Sequence, residues 1–239
     1  MIEPNHLGSD SGTHNHQKYW ESNIDSWAQL YLDLSHGHES LAAPSWFSFL
    51  YNQTIARYEA RLMRERFALT CRFIDDHLKP GMVFADIGCG TGIFVVKAMQ
   101  RGARVRAIDF AERSLAITQN NVQKHGDPRL VTYHMLDVSC DELPKSHAAI
   151  MMGVTPYIAD LDSAMRRVLR STDLLLVQYA DSAHWANRLR RLLPWLNVRR
   201  LVFHSAGDVD ACYVQNGWHL LNRTRFATGF IDMAASGSL

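Results

Sequence analysis

Three carboxylates and a run of glycines are spaced along the middle of the chain so that they could hold one small ligand. Asp86-Ile87-Gly88-Cys89-Gly90-Thr91-Gly92 joins a short apolar run, Met82–Ile87, to an apolar helical pattern. Glycines there let the backbone turn sharply and let a ligand lie against bare peptide groups. Asp109 closes the next apolar run, where an acid can accept both hydroxyls of a ribose. Asp137 follows the third run, placing a third acid on the same rim. Further along, Tyr157 ends Gly153-Val-Thr-Pro-Tyr157, either as a packing aromatic beside Pro156 or as a side chain facing a reacting group. His184, in Asp181-Ser-Ala-His184, is either a surface histidine or a base titrating near neutrality. His134 falls inside a strand pattern and reads as a core residue. His36-Gly37-His38 lacks nearby acids or cysteines and reads as a loop; no metal site is expected.

The glycine pattern departs from the dinucleotide fingerprint Gly-x-Gly-x-x-Gly/Ala. Its third glycine comes early, at Gly92, and position 93 is Ile. Asp86 stands two residues before the first glycine, close to where a pyrophosphate would run. That is unfavourable for a phosphate and favourable for a cation; a sulfonium amino acid has the required charges.

These residues must be positioned by alternating strands and helices. Strands are expected at Met82–Ile87, Arg104–Asp109, Arg129–Leu136, Ala148–Val154 and Leu174–Tyr179, continuous and apolar as buried parallel strands are. Helices are expected up to Gln100 and over 112–124, 160–170 and 182–193. A short helix at 208–216 precedes Trp218–Phe226 and Thr228–Met233, close enough for an antiparallel hairpin. Before Lys79-Pro80-Gly81, a stop signal, two helices are read at about 45–63 and 66–77. Another carries the stripe Trp20, Ile24, Trp27, Tyr31, Leu34. The expected fold is α/β: a doubly wound, mostly parallel seven-stranded sheet with an antiparallel C-terminal hairpin and a helical N-terminal lid. Residues 1–18 read as a tail, 19–81 as the lid and acceptor segment, and 82–239 as the cofactor domain.

Composition narrows the class. The 239 residues carry 25 Lys+Arg against 24 Asp+Glu, a net charge of +1, which argues against a protein that lives on nucleic-acid phosphates. The 4 cysteines are scattered without a Cys-x-x-Cys pair, as in a reducing compartment. Neither a leader nor a run of ~20 apolar residues is present, so a cytoplasmic protein without a transmembrane segment is expected. The near-zero charge conceals a local excess: Ser182 to Gly207 holds Arg188, Arg190, Arg191, Arg199 and Arg200 and no acid, interleaved with Trp185, Leu192, Leu193, Trp195 and Leu196. That stretch is a solvated basic face or a place to meet an anionic or lipid-associated molecule.

On these residues the chain resembles the class I S-adenosylmethionine-dependent methyltransferases, of small-molecule type. Asp86–Gly92 looks like that family's first motif, Val105–Phe110 its second, Leu136-Asp137-Val138 its adenine-binding acid, and Ala149–Tyr157 its fourth-strand segment. The resemblance implies S-adenosyl-L-methionine as cofactor. It assigns Asp86, Gly88, Cys89, Gly90, Asp109, Phe110, Asp137, Val138, Gly153 and Tyr19 to cofactor binding. Gly88 and Gly90 would approach the methionine part, Asp109 the ribose, Phe110 the adenine ring and Asp137 its exocyclic amine. Tyr157 and His184 are the candidates for catalysis. The expected reaction is methyl transfer to a small molecule, more on oxygen than on nitrogen; a homodimer is an open expectation.

Other readings are weaker. Nucleic-acid amino methyltransferases carry an Asn/Asp-Pro-Pro-Tyr/Phe segment where this chain has Val154-Thr-Pro-Tyr157, so no nucleic-acid partner is expected. A protein methyltransferase has no supporting feature, and the intact acids and glycines speak against a non-catalytic partner subunit. A nicotinamide oxidoreductase is the remaining class.

Overall fold

The computed structural model describes residues 46–192 and 201–237. The expected helix around Trp20–Leu34, the tail, Tyr19, the His36–His38 loop and the Trp195 and Arg199–Arg200 part of the basic stretch lie outside the described residues. Helix α1 spans Trp46–His77. Strand β1 (Val83–Ile87) leads to α2 (Ile93–Gln100), β2 (Arg104–Asp109) to α3 (Glu112–His125), and β3 (Val131–Met135) to β4 (Ala148–Met151). Then come α4 (Leu161–Ser171), β5 (Leu174–Ala180), α5 (Trp185–Leu192), α6 (Ala206–Gln215), β6 (Trp218–Phe226) and β7 (Gly229–Ser236).

The seven strands form one sheet in the order β3-β2-β1-β4-β5-β7-β6. β1 to β5 run parallel, with Phe84 opposite Val105 and Ala148 and with Ile150 opposite Leu176. β7 runs antiparallel to β5, and β6 to β7. The expected doubly wound sheet with an antiparallel hairpin is borne out. Strand order reverses between β1 and β4, so the crossovers leave in opposite directions there and open a crevice at the carboxyl ends.

Period-2 alternation distributes the strand residues between two faces. Phe84, Ile150 and Leu176 meet Phe73 and Ile74 of α1, Leu78 just after it, and Phe94 and Val95 of α2. Ala85, Ile87, Met151, Leu175 and Val177 meet Met165 and Val168 of α4 and Val209 and Tyr213 of α6. Ile74, Ile150 and Leu175 are fully enclosed, each contributing roughly 1.5–3 kcal/mol of burial.

Several boundaries differ from the sequence expectation. The two helices at 45–63 and 66–77 are one, because Arg64 and Glu65 between them are good helix formers that need not break the chain. Its last turns belong to the core of the sheet, with Phe73, Ile74 and, just after it, Leu78 buried. The third strand is shorter than 129–136 and is the sheet's edge rather than a buried strand: Thr132 and Met135 face solvent. Pro128–Leu130 forms a 3-10 turn before it, capped by Asp127. The fourth strand stops at Met151, and Thr155–Tyr157 turn as a 3-10 helix at its end. Helix α6 starts before 208, because Ser205 accepts from the Asp208 N–H at 3.0 Å and caps it.

The hairpin is locked by a charged cluster. Arg223 on β6 donates Nε to Asp232 Oδ1 and Nη2 to Asp232 Oδ2 and Asp210 Oδ1, each at 2.7 Å, and stacks over Phe230. Beneath it the Tyr179 and Tyr213 hydroxyls meet at 3.0 Å, tying β5 to α6.

Candidate functional site

The glycine loop after β1 is drawn over the tip of β2. Gly88 and Cys89 donate their N–H groups to the Ile108 carbonyl at 2.8 and 3.0 Å. Helix α3 holds the loop from the other side: Thr118 Oγ1 donates to Gly90 O at 3.0 Å and Asn121 Nδ2 to Thr91 O at 2.8 Å. Gly88 has φ 76°, and a Cβ there would stand 2.2 Å from Val154 Cγ2. Both the left-handed backbone and the approach of β4's end demand glycine at that position.

Asp109 binds the two loops together. Its Oδ2 accepts from Gly90 N and its Oδ1 from Ala111 N, both at 2.9 Å. Burial raises its pKa, and those N–H groups, with the Phe110 N–H and Ser114 hydroxyl, pull it back. Asp86 is 2% exposed, and its Oδ2 is a buried oxygen with no hydrogen-bond partner. Its carboxyl is pushed up to about 8, first by burial and then by the charge of Asp109.

Between the β1, β2 and β4 tips lies a cleft of about 810 Å³, its open mouth included. Gly88, Gly90, Asp109, Phe110, Asp137, Val138, Gly153 and Tyr157 all line it. Asp137 accepts from Ser139 N through Oδ1 at 2.8 Å, and its own N–H is held by Asp141 Oδ2. Ile87, Ile108, Leu136 and Ile158 give the cleft an apolar wall, so it offers a flat hydrophobic slot with carboxylates at one edge.

Three of the residues named for the site, Asp86, Cys89 and His184, do not line the cleft. Asp86 lies behind the loop rather than on the cleft's surface. Cys89 points the same way, its thiol 3.6 Å from Thr118 Oγ1 and raised well above its ordinary pKa by burial. His184 does not line the cleft: its Nδ1 accepts from Ala186 N at 3.2 Å at the start of α5. Tyr19 is outside the described residues. His134 is not a core residue either; it stands half-buried on the edge strand, a ring nitrogen 2.9 Å from Thr132 Oγ1. Burial, then the charge of Arg106, lowers its pKa.

One residue of the site was missed in the sequence. Arg66 of α1 brings its guanidinium up behind Gly153, a residue of the cleft's wall, with Nη1 3.4 Å from Gln178 Oε1 and 3.2 Å from where a Gly153 Cβ would stand. Burial lowers its pKa to about 10, against the opposing influence of Tyr157. The signal was helical periodicity: Arg66 shares a face with Thr70, Phe73 and Ile74, visible only once the helix is read as continuous. Among the described residues no group of three or more His, Cys, Asp or Glu could hold a metal ion.

Residues 84–173 match the family model described as a methyltransferase domain. A curated relative, the ribosomal protein L11 methyltransferase of Syntrophomonas wolfei, is 30% identical over 123 residues, which are 47% of this chain and 38% of the relative. The ubiquinone biosynthesis O-methyltransferase of Chromobacterium violaceum is 31% identical over 112 residues, 45% of this chain and 47% of the relative. The chain thus spans less than half the length of either. Among solved structures, magnesium protoporphyrin IX methyltransferase from Synechocystis PCC 6803, with S-adenosylmethionine bound, superposes with a TM-score of 0.70 at 17% identity. That match covers 97% of this chain and 100% of the other, and it shows the shared fold.

Proposed function

We propose, from the match of residues 84–173 to the methyltransferase-domain model, that the chain is a class I S-adenosylmethionine-dependent methyltransferase acting on a small-molecule acceptor, at oxygen. The observation that carries the reading is the acid pair at the β1 and β2 tips, Asp109 on the cleft and Asp86 buried behind the glycine loop. Asp86 keeps an unpartnered buried oxygen, and Asp109 faces the cleft while holding both flanking loops. A ligand with a cationic amino-acid end and a ribose suits that pair better than a pyrophosphate does.

In this reading Asp109 would hold the ribose hydroxyls, and Gly88 and Gly90 would leave room for the amino-acid end. Phe110 and Val138 would face the adenine ring, with Asp137 accepting from its amine. When bound, the cofactor supplies a methyl group on a positively charged sulfur, already activated toward a nucleophile. The chain's task is then to orient the acceptor and exclude water. Tyr157, at the end of β4, supplies a hydroxyl beside the cleft, and Arg66 a positive charge that would hold an acidic acceptor. A carboxylate oxygen would need no base, which suits a cleft that His184 does not line. The oxygen acceptor is supported by the ubiquinone relative's activity; the ribosomal-protein relatives make a protein acceptor the second reading.

Titration calorimetry with S-adenosylhomocysteine and with NAD(P)H tests the cofactor. Saturable binding of the first alone is expected; binding of the second alone would overturn the proposal. Transfer of labelled methyl groups into metabolite or protein fractions then separates the two acceptor classes.

A further inference from the structure

Helix α5 is turned inside out. Its fully buried residue is polar: Asn187, 0% exposed, donates Nδ2 to Asp181 O at 2.8 Å and to Thr228 O at 2.7 Å. Its Oδ1 accepts from Arg190 Nη1 at 2.9 Å. The apolar residues face outward, with Trp185 72%, Leu189 42% and Leu192 77% exposed. Steps of four and three put them in one stripe, and Arg188 and Arg191 stand exposed beside it.

The helix is held to the body at defined points. The chain leaves the sheet at Asp181 and returns at His204, where the two residues form a parallel bridge. Val202 N donates to Pro156 O at 2.8 Å, next to Tyr157. The stripe therefore hangs on the same carboxyl rim as the cleft.

We propose that α5 is a membrane-surface contact that sets its Trp185–Leu189–Leu192 stripe into the headgroup region of an anionic phospholipid bilayer. Charge complementarity selects that occupant: Ser182 to Gly207 contains five arginines and no acid. An indole and leucines flanked by guanidinium groups suit a boundary that is apolar on one side and anionic on the other. The size of the patch points the same way. Eight residues of helix are about 12 Å long, whereas a stable protein interface needs roughly 800 Å² per partner. Reversible attachment to a charged surface needs far less, since each arginine near it contributes about a fivefold gain in partition. Contact there would turn the cleft's rim toward molecules held in the bilayer. The inference concerns the surface alone and stands whether or not the proposed methyl transfer is correct.

The test is flotation of the full chain with vesicles of phosphatidylglycerol and phosphatidylcholine, and with phosphatidylcholine alone. Binding to the anionic vesicles only, weakened by salt, is expected. Arg188→Gln with Arg191→Gln should lower the partition about 25-fold, and Trp185→Ser with Leu192→Ser should abolish it. Both double variants should keep the parent's melting temperature and S-adenosylhomocysteine binding, because the altered side chains are exposed. Failure of the parent to float with anionic vesicles, or equal binding by both variants, would overturn the proposal. So would a dimer in sedimentation velocity that the Trp185→Ser, Leu192→Ser variant dissociates.

Discussion

Asp109 presses its charge on Asp86, so that two buried carboxyls share the tips of β1 and β2 and the Asp86 carboxyl is pushed up to about 8, burial being the larger cause. Above its ordinary value of 3.8 and below about 8, the folded chain holds a proton on Asp86 that the unfolded chain releases. Stability without ligand should therefore fall as pH rises through that window and level off above it. A cationic ligand favours the ionised form. Cofactor binding near pH 7 should expel up to one proton, and affinity should rise toward pH 8. Calorimetry in two buffers of different ionisation enthalpy reads the proton directly. Asp86→Asn should abolish the release, and an unchanged release would assign it to another group.

Asp109→Ala removes the carboxylate that ties Gly90 to Ala111. Two charge-assisted hydrogen bonds within the protein are lost, together with those to the ligand, each worth about 1.5–3 kcal/mol. Affinity for S-adenosylhomocysteine should fall at least tenfold. If calorimetry shows the parent's affinity, the ribose is held elsewhere.

Tyr157 lines the cleft, and Arg66 stands beside Gly153 within reach of the tyrosine's electrostatic influence, on the side where the acceptor is proposed to lie. Tyr157→Phe should lower kcat on the order of a hundredfold if its hydroxyl handles a proton, with cofactor affinity changed little. Arg66→Gln should raise KM for an acidic acceptor more than it lowers kcat. Steady-state kinetics with cofactor and acceptor varied separately distinguish these outcomes from a general loss of packing.

Arg223→Ala should destabilise the fold by roughly 3–5 kcal/mol, because it strands Asp232, which is 0% exposed, without its cation. Urea unfolding measures the loss. Arg223→Ala with Asp232→Ala should recover part of it, and a double variant no more stable than the single one would show that packing on Phe230 dominates.

Local pattern was enough for much of this protein. The period change after Gly81, the Gly88–Gly92 turn between strand and helix, and acids closing successive apolar runs specify a doubly wound sheet and the rim on which Asp109 and Asp137 stand. Such features depend on neighbours in the chain, so they are written in the chain. What depends on contacts between distant residues was not legible there. Arg66 reaches Gly153 only because one continuous α1 lies across the sheet, and the helix read as two pieces hid the shared face. Cys89 and Asp86 sit in the glycine motif yet turn behind the loop, since Thr118 and the buried face of β1 take their side chains. His184 has the chemistry of a base but is used to start α5, and the outward stripe of that helix exists because Asn187 is anchored by carbonyls at Asp181 and Thr228. Tertiary structure decided which side of each element met the protein and which was left to meet something else.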